Sequence, residues 1–207
     1  MSLTRLEEVG STNTWLKQRC ADLLHGDAVT ALRQTEGRGR TGHTWLDAEG
    51  MLPLSVLLKA PPDITTLTLR VCIAVCRVLE PIAGEPLSIK WTNDIILRGH
   101  KLCGILCESV QKCDGLNVIC GIGVNLTQPQ EYFEAAGIPH GGSLLSLVGA
   151  NCDREELALQ LVSAVEEYSA LSFRDLREEY ISRCITLGRE VRLLGREERT
   201  AFAEGIT

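Results

Sequence analysis

LSIKWTNDIILRGHKLCGILCESVQKCDGLNVICGIGVNL, residues 87–126, decides the fold. It consists of short apolar runs separated by turn formers. LSIKW (87–91) stops at Trp91-Thr92-Asn93-Asp94. IIL (95–97) turns through Arg98-Gly99-His100 into KLCGILCESV (101–110). Asp114-Gly115 is a hairpin signal and leads into NVICGIGVNL (117–126). Such runs are too short for helices and too apolar for loops, so they read as a β-meander.

Upstream of the meander, AVTALR (28–33) and MLPLSVLLKA (51–60) read as two more strands, the second bounded by Pro61-Pro62. Ser11 or Thr12 caps a helix over TWLKQRCADLLH that closes at Gly26. Asp63 caps another, with Leu67, Val71, Val75, Val78 and Leu79 on one face and Pro81 as its stop. Downstream, LTQPQEYFEAAGIPHGG is irregular. Asp153 opens the helix ELALQLVSAVEEYSAL, and FRDLREEYISRC gives a further one. Residues 189–207 read as two short strands joined by a charged turn. Together these give an α+β fold: a mixed, mostly antiparallel sheet with helices packed on it.

The chain has 207 residues, 44% of them hydrophobic and 23% charged, with net charge −6. That balance argues against general nucleic-acid binding, which requires a basic face. MSLTRLEEVG carries no apolar targeting core, and no apolar run has the length of a membrane span. The nine cysteines are scattered without a C-x-x-C pair, as expected for reduced thiols in a cytoplasmic protein. His25, His43, His100 and His140 are isolated from one another, which argues against zinc. There is no G-x-S-x-G and no P-loop, and Gly121-x-Gly123 lacks the third glycine of a dinucleotide fingerprint.

EGRGRTGHTW (36–45) reads either as a solvated surface loop or as a loop that closes over an anion. Ser11-Thr12-Asn13, Lys90-Trp91-Thr92-Asn93-Asp94, Lys101 and Asn125 are further polar points within or beside apolar elements. Each alone suits a cap, a turn or a strand end. Together they offer cations, amides and an indole to one pocket. That set suits a ligand with a phosphate, a heteroaromatic base and a neutral polar head.

Five motifs in this order resemble those of biotin protein ligases. Glu8-Val9-Gly10-Ser11-Thr12-Asn13 is similar to that family's opening S-T-N, and residues 37–45 to its G-R-G-R-x-G-R-x-W. Residues 90–94 resemble K-W-P-N-D, residues 101–108 K-x-x-G-I-L-x-E, and residues 121–125 G-I-G-[IV]-N. The resemblance implies an enzyme that uses ATP and Mg2+ to activate biotin to biotinyl-5'-AMP. It then transfers biotin to a lysine of the biotin carboxyl carrier protein of acetyl-CoA carboxylase or another biotin-dependent carboxylase. The fold implied is the class II synthetase-like catalytic domain over 1–187. Residues 188–207 then begin a small C-terminal SH3-like β domain, cut short.

The same resemblance implies the site. Ser11, Thr12, Asn13, Gln34, Arg38, Gly39, Arg40, Lys101 and Gly104 would hold biotin. Arg40, His43, Trp45, Asn93 and Asn125 would meet ATP and the adenylate. Arg40, Lys101, Lys90 and Asp94 would serve the reaction, Asp94 also holding magnesium. The glycine loop would be mobile when empty. Thr92 stands where the family has proline, and His43 where it has arginine, which predicts weaker phosphate holding. Ser11 leaves no room before it for a helix-turn-helix, so DNA binding is not expected; a homodimer is compatible with the sequence. A lipoate–protein ligase and a biotinyl-adenylate binder with weak transfer are the alternatives.

Overall fold

The computed structural model describes residues 1–46, 48–112, 115–193 and 198–206. Seven strands form the main sheet: β1 (Leu3–Val9), β2 (Ala28–Gln34), β3 (Met51–Lys59), β4 (Ser88–Lys90), β5 (Asp94–Leu97), β6 (His100–Lys112) and β7 (Gly115–Asn125). Their order is β1-β2-β3-β7-β6-β5-β4. β1 and β2 are parallel and every other neighbouring pair is antiparallel. The helices are α1 (Thr12–Arg19), α2 (Leu67–Ala83), α3 (Gln130–Ala135), α4 (Leu144–Val148), α5 (Arg154–Ala170) and α6 (Phe173–Arg183). The mixed sheet with helices packed on it is the architecture expected from the sequence.

β3 is central, and its side chains are buried from Met51 to Leu58. Leu52, Leu54, Val56 and Leu58 meet α2 and α5, together with Cys120, Ile122 and Val124 of β7. Leu57, Val29 and Ile119 point the other way, onto Leu16 and Cys20. Each fully buried aliphatic side chain contributes about 2 kcal/mol. The functional face therefore lies opposite α2 and α5, beside α1.

Several boundaries differ from the sequence reading. α1 stops at Arg19 rather than running to Gly26. The Asp27 carboxylate accepts the Leu24 and Ser2 N–H groups, at 2.9 and 2.8 Å, and folds the chain into a turn there. α2 starts after Thr66, not at Asp63, and runs past Pro81 to Ala83. Proline in the last turn forfeits only one backbone bond, and Gly84, left-handed at φ 71°, closes the helix on the Glu80 carbonyl at 2.9 Å. β1 gave no sequence signal because it is a half-exposed edge strand. The stretch read as irregular contains α3. Asp153 does cap α5, accepting the Glu155 and Glu156 N–H groups, each at 2.8 Å.

Near the C-terminus, β8 (Glu190–Leu193) and β9 (Arg199–Phe202) pair in a separate two-stranded sheet. Arg177 of α6 donates to the Ile206 carbonyl at 2.7 Å, and Ile206 packs on the main core. Asp114 of the expected Asp114-Gly115 turn, Cys113, and residues 194–197 in the charged turn lie outside the described residues. The eight described cysteines are free. Burial pushes the Cys72, Cys76 and Cys103 thiols up, Cys76 to about 12, which suppresses their thiolates. Among the described residues, no helix is long and apolar enough to cross a membrane.

Candidate active site

The site is a cleft with a glycine floor. Gly104 of β6 and Gly121 and Gly123 of β7 leave the sheet bare, and larger side chains occupy the space. A Cβ on Gly123 would stand 2.6 Å from Trp45 Cε2, and one on Gly104 2.7 Å from Trp45 Cζ3. At Gly121 it would stand 2.9 Å from Asn13 Cγ. The Trp45 indole and the Asn13 amide therefore rest on backbone.

Ser11, Thr12 and Asn13, where β1 turns into α1, form one end of the cleft together with Gln34. Thr12 N–H donates to Gln34 Oε1 at 2.8 Å, and Thr12 Oγ1 lies 2.9 Å from the same oxygen. Ser55 of β3 joins them: its Oγ is 2.8 Å from Thr12 Oγ1 and 2.6 Å from Asn13 Oδ1. Ser11 occupies the cap position of α1, but its side chain makes no cap bond. This end is a buried cluster of neutral hydrogen-bonding groups.

The glycine loop forms the roof. Arg38 bridges Thr44, Gly39 N–H donates to the His43 carbonyl at 2.7 Å, and Trp45 N–H to the Gly37 carbonyl at 3.0 Å. Thr41 and Gly42 make the tip in left-handed backbone, φ 52° and 81°. The loop is thus a small hairpin, and its glycines differ in purpose. Gly42 serves the turn, whereas a Cβ on Gly37 would overlap the Trp45 carbonyl.

The far end is charged. Lys101 Nζ lies 2.7 Å from Asp94 Oδ1 and 5.5 Å from the centre of the Trp45 ring. Arg40 Nη1 donates to Asn93 Oδ1 at 3.2 Å, and Asn93 Nδ2 to the Ile105 carbonyl at 2.8 Å. Arg38, Arg40, His43 and Lys101 line the same cleft, and Asp94 is the one carboxylate among its described lining residues.

A second cavity adjoins the first across Trp45 and Lys101. Asn125, Gln128, Tyr132, Phe133, Ile138 and His140 are among its lining. Asn125 donates to the Lys101 and Gly142 carbonyls, each at 3.2 Å, and Gln128 donates to Asn125 Oδ1 at 3.3 Å. Trp45 Nε1 is buried here without a hydrogen-bond partner.

The structure thus gathers Ser11, Thr12, Asn13, Gln34, Arg38, Gly39, Arg40, His43, Trp45, Asn93, Asp94, Lys101 and Gly104 around one cleft. Asn125 belongs to the adjoining cavity. Lys90 does not join them: it is exposed on β4, opposite Asp94 in register, and lines neither space. Ser55, Glu108 and Gln128 went unread as site residues. Glu108 closes the fourth motif, but Ser55 and Gln128 carry no sequence signal. Among the described residues, no group of three or more metal-ligating side chains gathers.

The sequence matches the Biotin/lipoate A/B protein ligase family over residues 6–125. The chain belongs to that family. The ligase of this family from Escherichia coli named "Bifunctional ligase/repressor BirA" is 32% identical over 99% of this chain and 66% of its own length. The chain thus spans a little under two-thirds of that relative. The Mycobacterium tuberculosis "Biotin--[acetyl-CoA-carboxylase] ligase" is 33% identical over 90% of this chain and 72% of its own. Among solved ligases, the biotin protein ligase of Aquifex aeolicus in complex with biotin and ATP aligns with a TM-score of 0.84 and 33% identity. That alignment covers 100% of this chain and 88% of the other.

Proposed function

We propose that the chain is an ATP-dependent biotin–protein ligase. It makes biotinyl-5'-AMP from biotin and ATP, and transfers the biotinyl group to a lysine of a biotin carboxyl carrier domain such as that of acetyl-CoA carboxylase. One observation carries this reading. A neutral hydrogen-bonding pocket, a cluster of cations and an amide- and aromatic-lined cavity lie in sequence along one groove. Biotin's urea head, the reacting carboxylate and phosphate, and the adenine need those surroundings in that order. The Aquifex aeolicus ligase bound to biotin and ATP supports it, as do the relatives named as biotin ligases.

In the first step a biotin carboxylate oxygen bonds to the α-phosphorus and pyrophosphate leaves. Two anions must approach, and Arg38, Arg40 and Lys101 offset their repulsion. Asp94 holds Lys101 at the cleft, fixing its ammonium before substrate arrives. Magnesium would enter with the nucleotide and neutralise phosphate charge; a single carboxylate, Asp94, fits its habit of binding through one or two carboxylates plus phosphates. In the second step the carrier lysine amine attacks the acyl carbon, loses a proton, and AMP leaves. The 38–45 roof shields the mixed anhydride from water until then.

Lipoate is the poorer fit. Its dithiolane head offers no N–H or carbonyl to the Ser11, Thr12, Asn13 and Gln34 cluster, which would be left unsatisfied. The test is incubation with ATP, Mg2+, a carrier domain, and biotin or lipoate, read by intact mass. A single biotinyl addition, with none from lipoate, is expected. Lipoyl transfer, or no transfer of either, would sink the reading.

A further inference from the structure

Glu108 sits on the cleft side of β6, with its side chain 17% exposed. Its Oε2 accepts from Asn13 Nδ2 at 2.8 Å. Its Oε1 pairs with the Lys17 ammonium and lies 3.6 Å from Arg38 Nη2. Burial pushes the Glu108 carboxyl up, but the bonds from Lys17 and Asn13 and the charges of Lys17 and Arg38 outweigh it and hold it below the usual range. At neutral pH it is ionised and can only accept.

That one-sidedness matters for Asn13. An amide is nearly symmetric in shape, so its partners decide which end points where. The Asn13 amide lies on Gly121, so it cannot tilt away from the strand. Its NH2 meets Glu108 and the Leu106 carbonyl, the latter at 3.2 Å. Its oxygen meets Ser55 Oγ at 2.6 Å, on the side of Thr12. Ser55 could serve either orientation by rotating its hydroxyl; the carboxylate could not.

We propose that Glu108 is a positioning residue for recognition of the ligand head: its carboxylate fixes the Asn13 amide with the oxygen on the Ser55–Thr12 side, so that the cleft offers an acceptor to the N–H groups of a neutral cyclic urea. The proposal rests on the biotin-ligase reading. Lys17 supplies the counter-charge that keeps the carboxylate ionised in this half-buried place.

The experiment is a double-mutant cycle on biotin affinity, measured by calorimetry on the wild type, Glu108→Gln, Asn13→Ala and the double variant. Glutamine has both a donor and an acceptor and so accommodates either orientation of Asn13. Glu108→Gln should weaken biotin about tenfold, the value of one well-made hydrogen bond. In the Asn13→Ala background the same change should add nothing. Glu108→Asp keeps the charge and should recover part of the affinity. Wild-type affinity in Glu108→Gln would overturn the proposal, and so would an equal loss with and without Asn13. Should thermal melts show Glu108→Gln unfolded, Glu108→Asp carries the same cycle: a loss is expected only where Asn13 is present, and an equal loss in both backgrounds overturns the proposal. A wild-type protein that binds no biotin at all overturns the functional reading instead.

Discussion

The Trp45 indole lies on Gly123, with Cε2 2.6 Å from where a Cβ would stand. The ring is a wall shared by two cavities, and only a glycine beneath it lets the wall stand where it does. Gly123→Ala should displace the ring and cost about 1–3 kcal/mol through overpacking. The ATP KM in pyrophosphate exchange should rise about two- to tenfold if half of that cost falls on nucleotide binding. An unchanged ATP KM would show that the indole does not border the nucleotide.

Lys101 is held to Asp94 at 2.7 Å in a cleft that also contains Arg38 and Arg40. Lys101→Ala should lower the rate of adenylate formation by about 10²–10³, the usual loss for one charge-stabilising donor. Lys101→Arg should recover part of it. A rate within twofold of wild type for Lys101→Ala would remove Lys101 from the reaction centre.

His43 lines the cleft on the loop tip, beside Arg40. A guanidinium there, always charged and able to grip two phosphate oxygens at once, should hold phosphate more firmly than an imidazole. His43→Arg should lower the ATP KM several-fold and slow adenylate release, followed by filter retention of labelled ligand.

Arg70 is a stability residue that the sequence hides. It is fully buried in α2, donates to the Ser169, Leu171 and Asp63 carbonyls, and so ties α2 to the end of α5. Removing it takes the donor from three carbonyls, that of Ser169 in a buried bond and those of Leu171 and Asp63 in part-buried ones. Arg70→Met should cost about 1–3 kcal/mol in denaturant unfolding, as for buried acceptors left without a donor, while the biotin KM of the folded enzyme stays near wild type.

Asp63 contributes a pH-dependent part of stability. Hydrogen bonds from the Thr65 and Thr66 hydroxyls hold its carboxyl at about 2, against a small opposing effect of burial. An unfolded aspartate titrates near about 3.9. A depressed carboxylate stabilises the fold fully above the unfolded value, and loses that contribution as pH falls through the folded one. Asp63→Asn should therefore flatten the stability profile between about pH 4 and pH 2. A parallel profile in wild type and variant would refute the assignment.

The meander was legible because β4 to β7 obey local rules: apolar runs broken at Asn93-Asp94 and Gly99. The cleft was legible because its residues cluster in motifs. What stayed hidden depends on contacts distant in sequence. Ser55 reads as one polar residue inside an apolar strand, and only α1 laid across β3 gives it a purpose. β1 is half-exposed and owes its strand state to β2 alongside. Lys90 pairs with Asp94 and so shares its face of the sheet, but it stands exposed on the edge strand β4 and lines neither cavity, which motif proximity alone does not reveal.

The roof hairpin is anchored at its base by Trp45 on the glycine floor, but its arginines are fastened weakly. Arg40 to Asn93 and Arg38 to Glu108 tie them to the far wall and the floor, and Arg38 is 51% exposed. Partly exposed ties of this kind are worth about 0–1 kcal/mol each. At that strength the closed arrangement of the tip outnumbers an open one by tens to one at most, since each 1.4 kcal/mol is a factor of ten. On the proposed reaction, a tightly held adenylate touching the same arginines would shift the balance far toward shut, so the intermediate would guard itself and the carrier lysine would have to compete with it for the doorway.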